Sequence, residues 1–216
     1  AKTEEPGHDV PAFAAAIAEV AARHGQAQSF PTIATTQGQI LHNHGFVHTL
    51  KEGDLFLLDA GAETKEHYAG DLSSTMPVSN QFTSQQAEIY NIHLESFQAA
   101  VDCLKPGVPF RDAHIAAATR IVEGMKSLGL MKGDPTEAAE SGAYALFFPC
   151  GLGHMMGLDV HDMENLGEVW VGYNGEPKST QFGRKSLRLA RPLEPGFVLT
   201  IEPGIYFIPE LIDLWK

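Results

Sequence analysis

The stretch Leu193–Gly204 reads "LEPGFVLTIEPG", and Leu50–Gly61 reads "LKEGDLFLLDAG". In both, a glycine stands three residues after the leucine, five residues lead into an acid, and a second glycine follows two places later. Each is a turn, a buried strand, a carboxylate and a glycine. With the acids, Asp59 and Glu202, in register, the match predicts a duplicated half-domain. A pseudo-twofold axis relating the halves would bring Asp59 and Glu202 together. A charged carboxylate is costly to bury unless a metal, a cation or several hydrogen bonds compensate it. Two acids at matching strand ends therefore point to a site.

Working outward, Asp9 to His24 predicts an amphipathic helix with Val10, Phe13, Ile17, Val20 and Ala21 on one face and Gly25 as its stop. Short extended runs follow around Ile33 and Ile40. Leu55–Leu58 is an apolar strand, and Ser73–Val78 is strand-like and closed by Pro77. Thr83 with Gln86 makes a capping box for a helix carrying Ile89, Ile92, Phe97, Val101 and Leu104. A second helix runs through Ile115, Ile121, Val122 and Met125 to Gly129, and a short helical piece lies near Thr136–Glu140. Tyr173–Gly183 reads as a polar loop. Leu187–Leu189 and Phe197–Ile201 return to strand. Strands, then helices, then strands predict an α+β layer of helices on an antiparallel sheet.

Asp71, in "YAGDLSST", opens the second strand of the first motif. If Leu55–Asp59 and Asp71–Val78 pair as a hairpin, Asp59 and Asp71 sit across from each other at one end. His154 and His161 lie in "GLGHMMGLDVHD", among Gly151, Gly153 and Gly157 and beside Asp162. Glycines there let the backbone approach a ligand closely. His42 completes the apolar run of "ILHNHG", whereas His44 reads as a loop residue. The other histidines, His93 and His114 among them, read as surface or packing residues. Carboxylates with a histidine suit a divalent ion such as Mn²⁺, Co²⁺, Zn²⁺ or Fe²⁺. Several carboxylates with few nitrogens favour a two-metal cluster.

The 216 residues suffice for a sizeable core, with 44% hydrophobic and 19% charged residues. A net charge of −12 and no basic cluster argue against nucleic acid as a partner. No run approaches the ~20 apolar residues of a membrane span. Cys103 and Cys150 have no zinc-type spacing and read as two buried thiols in a reducing, cytoplasmic setting.

Together, "ILH", "LLDAG…YAGD", "GLGHMMGLDVHD" and "TIEPG" resemble the pita-bread metallopeptidases, the family of methionine aminopeptidase, aminopeptidase P and prolidase. "GLDVHD" and "IEPGIY" look most like its Xaa-Pro branch. The resemblance covers nearly the whole chain and implies a pseudo-twofold antiparallel sheet covered by helices. By that similarity Asp59 would chelate one metal, Asp71 would bridge both, His154 would bind the second, and Glu202 would be a ligand close to the attacking water. His42 and His161 would hold the substrate without binding metal. The implied activity is hydrolysis of peptides with proline at the second position, with two divalent ions, Mn²⁺ first among them. A homodimer is compatible with this.

Two departures from the family pattern stand out. The Asp59–Asp71 interval is one residue longer than usual, which a hairpin loop can absorb. The family's second bridging glutamate has no match after Glu202; Glu210 follows Pro209 at a helix start and is rejected. The resemblance thus predicts that residues 1–216 are a catalytic domain incomplete at both ends, with impaired metal binding and turnover. The alternatives are a non-catalytic pita-bread module that binds a peptide or protein, and a methionine-aminopeptidase or prolidase specificity.

Overall fold

The computed structural model describes residues 10–24, 26–46 and 48–215. Asp9 and Gly25, the expected limits of the first helix, lie outside the described residues. The chain divides into two compact units. One runs to Gln85 and takes in Leu158–Val160, and the other holds Gln86–Gly157 and the chain from His161 onward.

In the first unit, helix α1 (Val10–Arg23) accompanies strands β1 (Ile33–Thr35), β2 (Leu55–Ala60) and β3 (Leu72–Pro77), antiparallel in the order β1-β2-β3. Val10, Ala34 and Phe56 form its buried centre, and Phe13 packs on Phe56 with ring centroids 5.2 Å apart. Val20, expected in the core, is exposed. At ~100° per residue it lies roughly 80° off the line through Val10, Ile17 and Ala21, beyond what a small sheet covers. The run at Ile40 is not a strand: Ile40 and Leu41 are exposed and the chain turns there, with His42 at φ 53°.

The hairpin β2–β3 forms as expected, with Asp59 inside β2 rather than just after it. Asp59 pairs with Ser73 and Ala60 with Leu72, so Asp71 lies one residue beyond the ladder. Asp71 is two residues from Ser73, so it shares the face of Asp59 in a diagonal rather than a direct pairing. The neck of the connecting loop is pinched at two glycines. A Cβ on Gly61 would lie 1.7 Å from the Gly70 carbonyl oxygen, and the Gly70 amide donates to the Ala62 carbonyl at 3.1 Å and to Ser29 Oγ at 3.0 Å. The two aspartates stand on one face at this end of the hairpin.

The second unit is helical at its core. α2 (Ser84–Asp102) packs on α3 (Phe110–Ser127) where Ile92 meets Gly124; a Cβ at Gly124 would lie 2.4 Å from the Ile92 side chain. α3 buries Phe110, Ala113, His114, Ala117, Ala118, Ile121, Val122 and Met125. Ile115, expected in the core, is only partly buried. On α2 the buried positions are Ile92, Ser96 and Ala100, while the expected Phe97 is exposed. α4 (Pro135–Ser141) starts at Asp134, whose side chain caps the Glu137 amide at 3.0 Å.

Three expectations need correction. Leu187–Leu189 is buried but irregular, following a short 3₁₀ turn at Arg184–Ser186. Phe197–Ile201 makes an isolated bridge rather than a regular strand. A helix that the sequence reading lacked, α5 (Glu164–Tyr173), precedes the expected polar loop and ends at its first residue. α6 (Pro209–Leu214) does begin at Pro209. Among the described residues, no helix is long and apolar enough to cross a membrane.

Candidate metal centre

In the second unit, residues 152–156 and 198–202 run antiparallel, bridged at Met155 and Leu199. The Glu202 amide donates to the Leu152 carbonyl at 2.7 Å, the Thr200 amide to the His154 carbonyl at 3.0 Å, and the Met156 amide to the Val198 carbonyl at 3.0 Å. The segments come this close because residue 153 has no side chain. A Cβ on Gly153 would lie 2.2 Å from the Thr200 carbonyl oxygen. The glycine in "GLGH" thus fixes the spacing between a histidine on one segment and a glutamate on the other.

His154 is 4% exposed, and its Nε2 lies 3.1 Å from Glu202 Oε1. Its Nδ1 lies 2.9 Å from the Met155 carbonyl oxygen. That oxygen only accepts, so Nδ1 carries the hydrogen and Nε2 is directed at a carboxylate. An unprotonated Nε2 against an ionised carboxylate sets lone pair against lone pair, so the pair calls for a proton or a cation between its members. Metal–nitrogen and metal–oxygen bonds of about 2.0–2.2 Å would let one ion take both atoms, and the Nδ1–carbonyl bond is the usual support of a metal-binding imidazole. The donor set fits a divalent ion.

Thr200 holds this pair in place. Its Oγ1 accepts from the His154 amide at 3.0 Å and donates to Glu202 Oε1 at 2.6 Å. The sequence reading missed it. The available signal was a hydroxyl in the apolar run before Glu202, two residues away and hence on the same side of an extended chain.

His161 stands edge-on to His154, with ring centroids 4.3 Å apart at 76°. Its Nδ1 is 3.8 Å from Glu164 Oε2, and Glu164 pairs with Arg188. Burial raises the Glu164 carboxyl above its ordinary range, and the Arg188 guanidinium opposes that rise. Glu164 and Arg188 were also missed, since their neighbours are fixed by α5 and the chain following it. Asp162 closes the loop: its amide donates to the Met155 carbonyl at 3.0 Å, and a Cβ on Gly157 would lie 2.6 Å from its carboxylate.

A further contact reaches the same loop from α2. His93 Nε2 lies 2.8 Å from the carbonyl oxygen of Pro203, the residue after Glu202. No local pattern could have announced a partner 110 residues away. His114, also read as surface or packing, is fully buried with Nε2 2.7 Å from the Tyr144 hydroxyl. Both cysteines are free and partly buried, and burial pushes the Cys150 thiol up to about 11.

The first unit contributes the half-buried Asp59 and Asp71 on one sheet face and His42 on an exposed turn. The structure therefore joins His154, His161 and Glu202 within one unit and Asp59 with Asp71 within the other.

Residues 4–214 match the model of metallopeptidase family M24. The chain is 39% identical over 191 residues to the Xaa-Pro aminopeptidase of Escherichia coli, covering 87% of this chain and 39% of that protein. It is 40% identical over 165 residues to the Xaa-Pro dipeptidase of Rattus norvegicus, covering 76% of this chain and 32% of that one. A zinc-substituted E. coli aminopeptidase P in complex with product superposes with a TM-score of 0.78 at 36% identity, covering 97% of this chain and 45% of that one. The chain thus spans under half the length of these relatives. The α+β architecture, the paired acids and the imidazole-carboxylate couple agree with the pita-bread fold of these neighbours, and the chain belongs to metallopeptidase family M24.

Proposed function

We propose that the protein hydrolyses the peptide bond between an N-terminal residue and a proline at the second position, as a two-metal exopeptidase. Asp59, Asp71, His154 and Glu202 are the proposed ligands, and Mn²⁺ is the proposed ion, ahead of Co²⁺, Zn²⁺ and Fe²⁺. The observation that carries this reading is the buried His154 Nε2 directed at Glu202 Oε1, with Nδ1 already committed to a carbonyl. The free thiols fit a cytoplasmic setting.

When bound, the ions supply the Lewis acidity that activates water and polarises the scissile carbonyl. The chain's residues do the rest. Glu202 keeps 43% of its side chain open to solvent, so it can take a proton from water and return it to the departing nitrogen. The Thr200 hydroxyl bond to Oε1 fixes the carboxylate while it does so. His161, 40% open and facing Glu164 through Nδ1, is proposed to hold the substrate at its carbonyl group without binding metal. His42 is proposed as a second substrate-holding imidazole.

The test is to strip the purified full-length protein with a chelator, add back Mn²⁺, Co²⁺ or Zn²⁺ singly, and measure release of the first residue from Xaa-Pro dipeptides and longer Xaa-Pro peptides. Turnover should vanish with the chelator and return with Mn²⁺, and Glu202→Gln should lower it about a hundredfold or more. Cleavage confined to dipeptides would assign the dipeptidase specificity. Peptide binding without cleavage under every metal would make the protein a binding module instead.

A further inference from the structure

Glu202 does not sit in a regular strand; residues 201–208 have no repeating secondary structure. Its position therefore depends on individual anchors. The Glu202 amide is held by Leu152, and the Tyr206 amide is held by the Phe147 carbonyl at 2.8 Å. Between them stand Pro203, which has no N–H to offer, and Gly204, which has no side chain to anchor the chain. The hydrogen bond from His93 falls in that gap.

We propose that His93 is a positioning residue for the metal centre, fixing the Pro203 carbonyl so that the Glu202 carboxylate stays aimed at His154. The proposal rests on the metallopeptidase reading for its consequence, though not for its geometry. The acceptor is a carbonyl, so Nε2 must donate, and the 2.8 Å separation is that of a good hydrogen bond. Nδ1 is buried and has no hydrogen-bond partner among the described residues. Burial pushes the imidazole below its ordinary pKa, which agrees with a neutral ring carrying its one hydrogen on Nε2. A leucine would fill the same space without leaving a buried nitrogen unpaired, so packing alone gives no reason for a histidine here. Its donor does. The ring is itself braced: Tyr90 lies one helical turn before it, with centroids 6.1 Å apart, and Ser96 Oγ donates to the His93 carbonyl at 2.7 Å. Helix α2 thereby reaches the residue next to Glu202 through His93.

Three variants separate donor from filler. His93→Gln keeps an N–H near the place of Nε2, His93→Leu keeps the volume without the donor, and His93→Ala removes both. Two measurements apply: the Mn²⁺ dissociation constant by calorimetry, and hydrogen exchange of the Glu202 and Tyr206 amides in metal-free protein. Loss of a supporting hydrogen bond of this kind costs about tenfold or more in metal affinity. His93→Leu and His93→Ala should therefore bind Mn²⁺ about tenfold more weakly and exchange these amides faster, with His93→Gln restoring both. Wild-type affinity and exchange in His93→Leu would overturn the proposal and leave His93 a packing residue. Full-length wild-type protein that takes up no Mn²⁺ overturns the metal reading, and it is seen before any variant is made. The exchange rates in metal-free protein judge the positioning role independently of that result.

Discussion

The buried His114 makes the stability of the protein steeply dependent on pH in the mildly acidic range. Its ring is fully buried against Tyr144 and Phe148, with Nε2 2.7 Å from the Tyr144 hydroxyl and Nδ1 without a hydrogen-bond partner among the described residues. Burial, reinforced by the Arg184 charge, lowers its pKa from 6.5 to about 3. An unfolded chain titrates near 6.5, so between that value and about 3 the unfolded state binds the extra proton. Stability is intact above pH 6.5 and is lost as the pH falls toward 3. At pH 5, which is 1.5 below 6.5, the loss relative to pH 7 is about 2 kcal/mol, at 1.36 kcal/mol per pH unit.

The assay is urea unfolding at pH 7 and pH 5 in the presence of chelator, so that metal linkage is held fixed. Wild type is compared with the double variant His114→Leu/Tyr144→Phe. Replacing both partners of this hydrogen bond avoids leaving either one buried without the other, and it removes the titrating imidazole. The wild type should lose about 2 kcal/mol more than the double variant between the two pH values. If the two losses agree within about 0.5 kcal/mol, His114 does not titrate as its burial requires and the reasoning fails.

Two further outcomes follow from the metal-centre geometry. Thr200→Val deprives the His154 amide of its acceptor and Glu202 Oε1 of its donor, so Mn²⁺ affinity should fall about tenfold to a hundredfold by calorimetry while Thr200→Ser retains it. Gly153→Ala places a methyl 2.2 Å from the Thr200 carbonyl oxygen, and forcing the two segments apart should cost about 1–3 kcal/mol in unfolding experiments and abolish tight Mn²⁺ binding. Wild-type metal affinity in Gly153→Ala would show that the spacing of the segments does not set the site.

Much of the molecule was legible because its signals are local. The largely apolar runs into Asp59 and Glu202, the break at Gly129 and the Pro209 start of α6 are each decided within a few residues. The face of α1 was read correctly at Val10 and Ala21 and wrongly at Val20, because periodicity gives the direction of a stripe but not its width. The run around Ile40 has strand-like composition, yet the chain turns through His42 at φ 53° with Ile40 and Leu41 exposed. Phe197–Ile201 has the composition of a strand and does meet an antiparallel partner. Its hydrogen-bonding was diverted in part to the Thr200 hydroxyl, which takes the His154 amide and leaves an isolated bridge.

By itself, the sequence determined which residues are candidates for the chemistry: acids closing apolar runs, and histidines set among glycines. Those choices are made residue by residue, through side-chain type and the backbone freedom that glycine allows. Tertiary structure alone decided how the site is held. The glycine pinch at Gly61 and Gly70, the Thr200 hydroxyl between His154 and Glu202, and the His93 bond to Pro203 join residues whose partners no local rule specifies. A hydrogen bond forms wherever packing brings donor and acceptor within reach, and that distance is set by the whole fold.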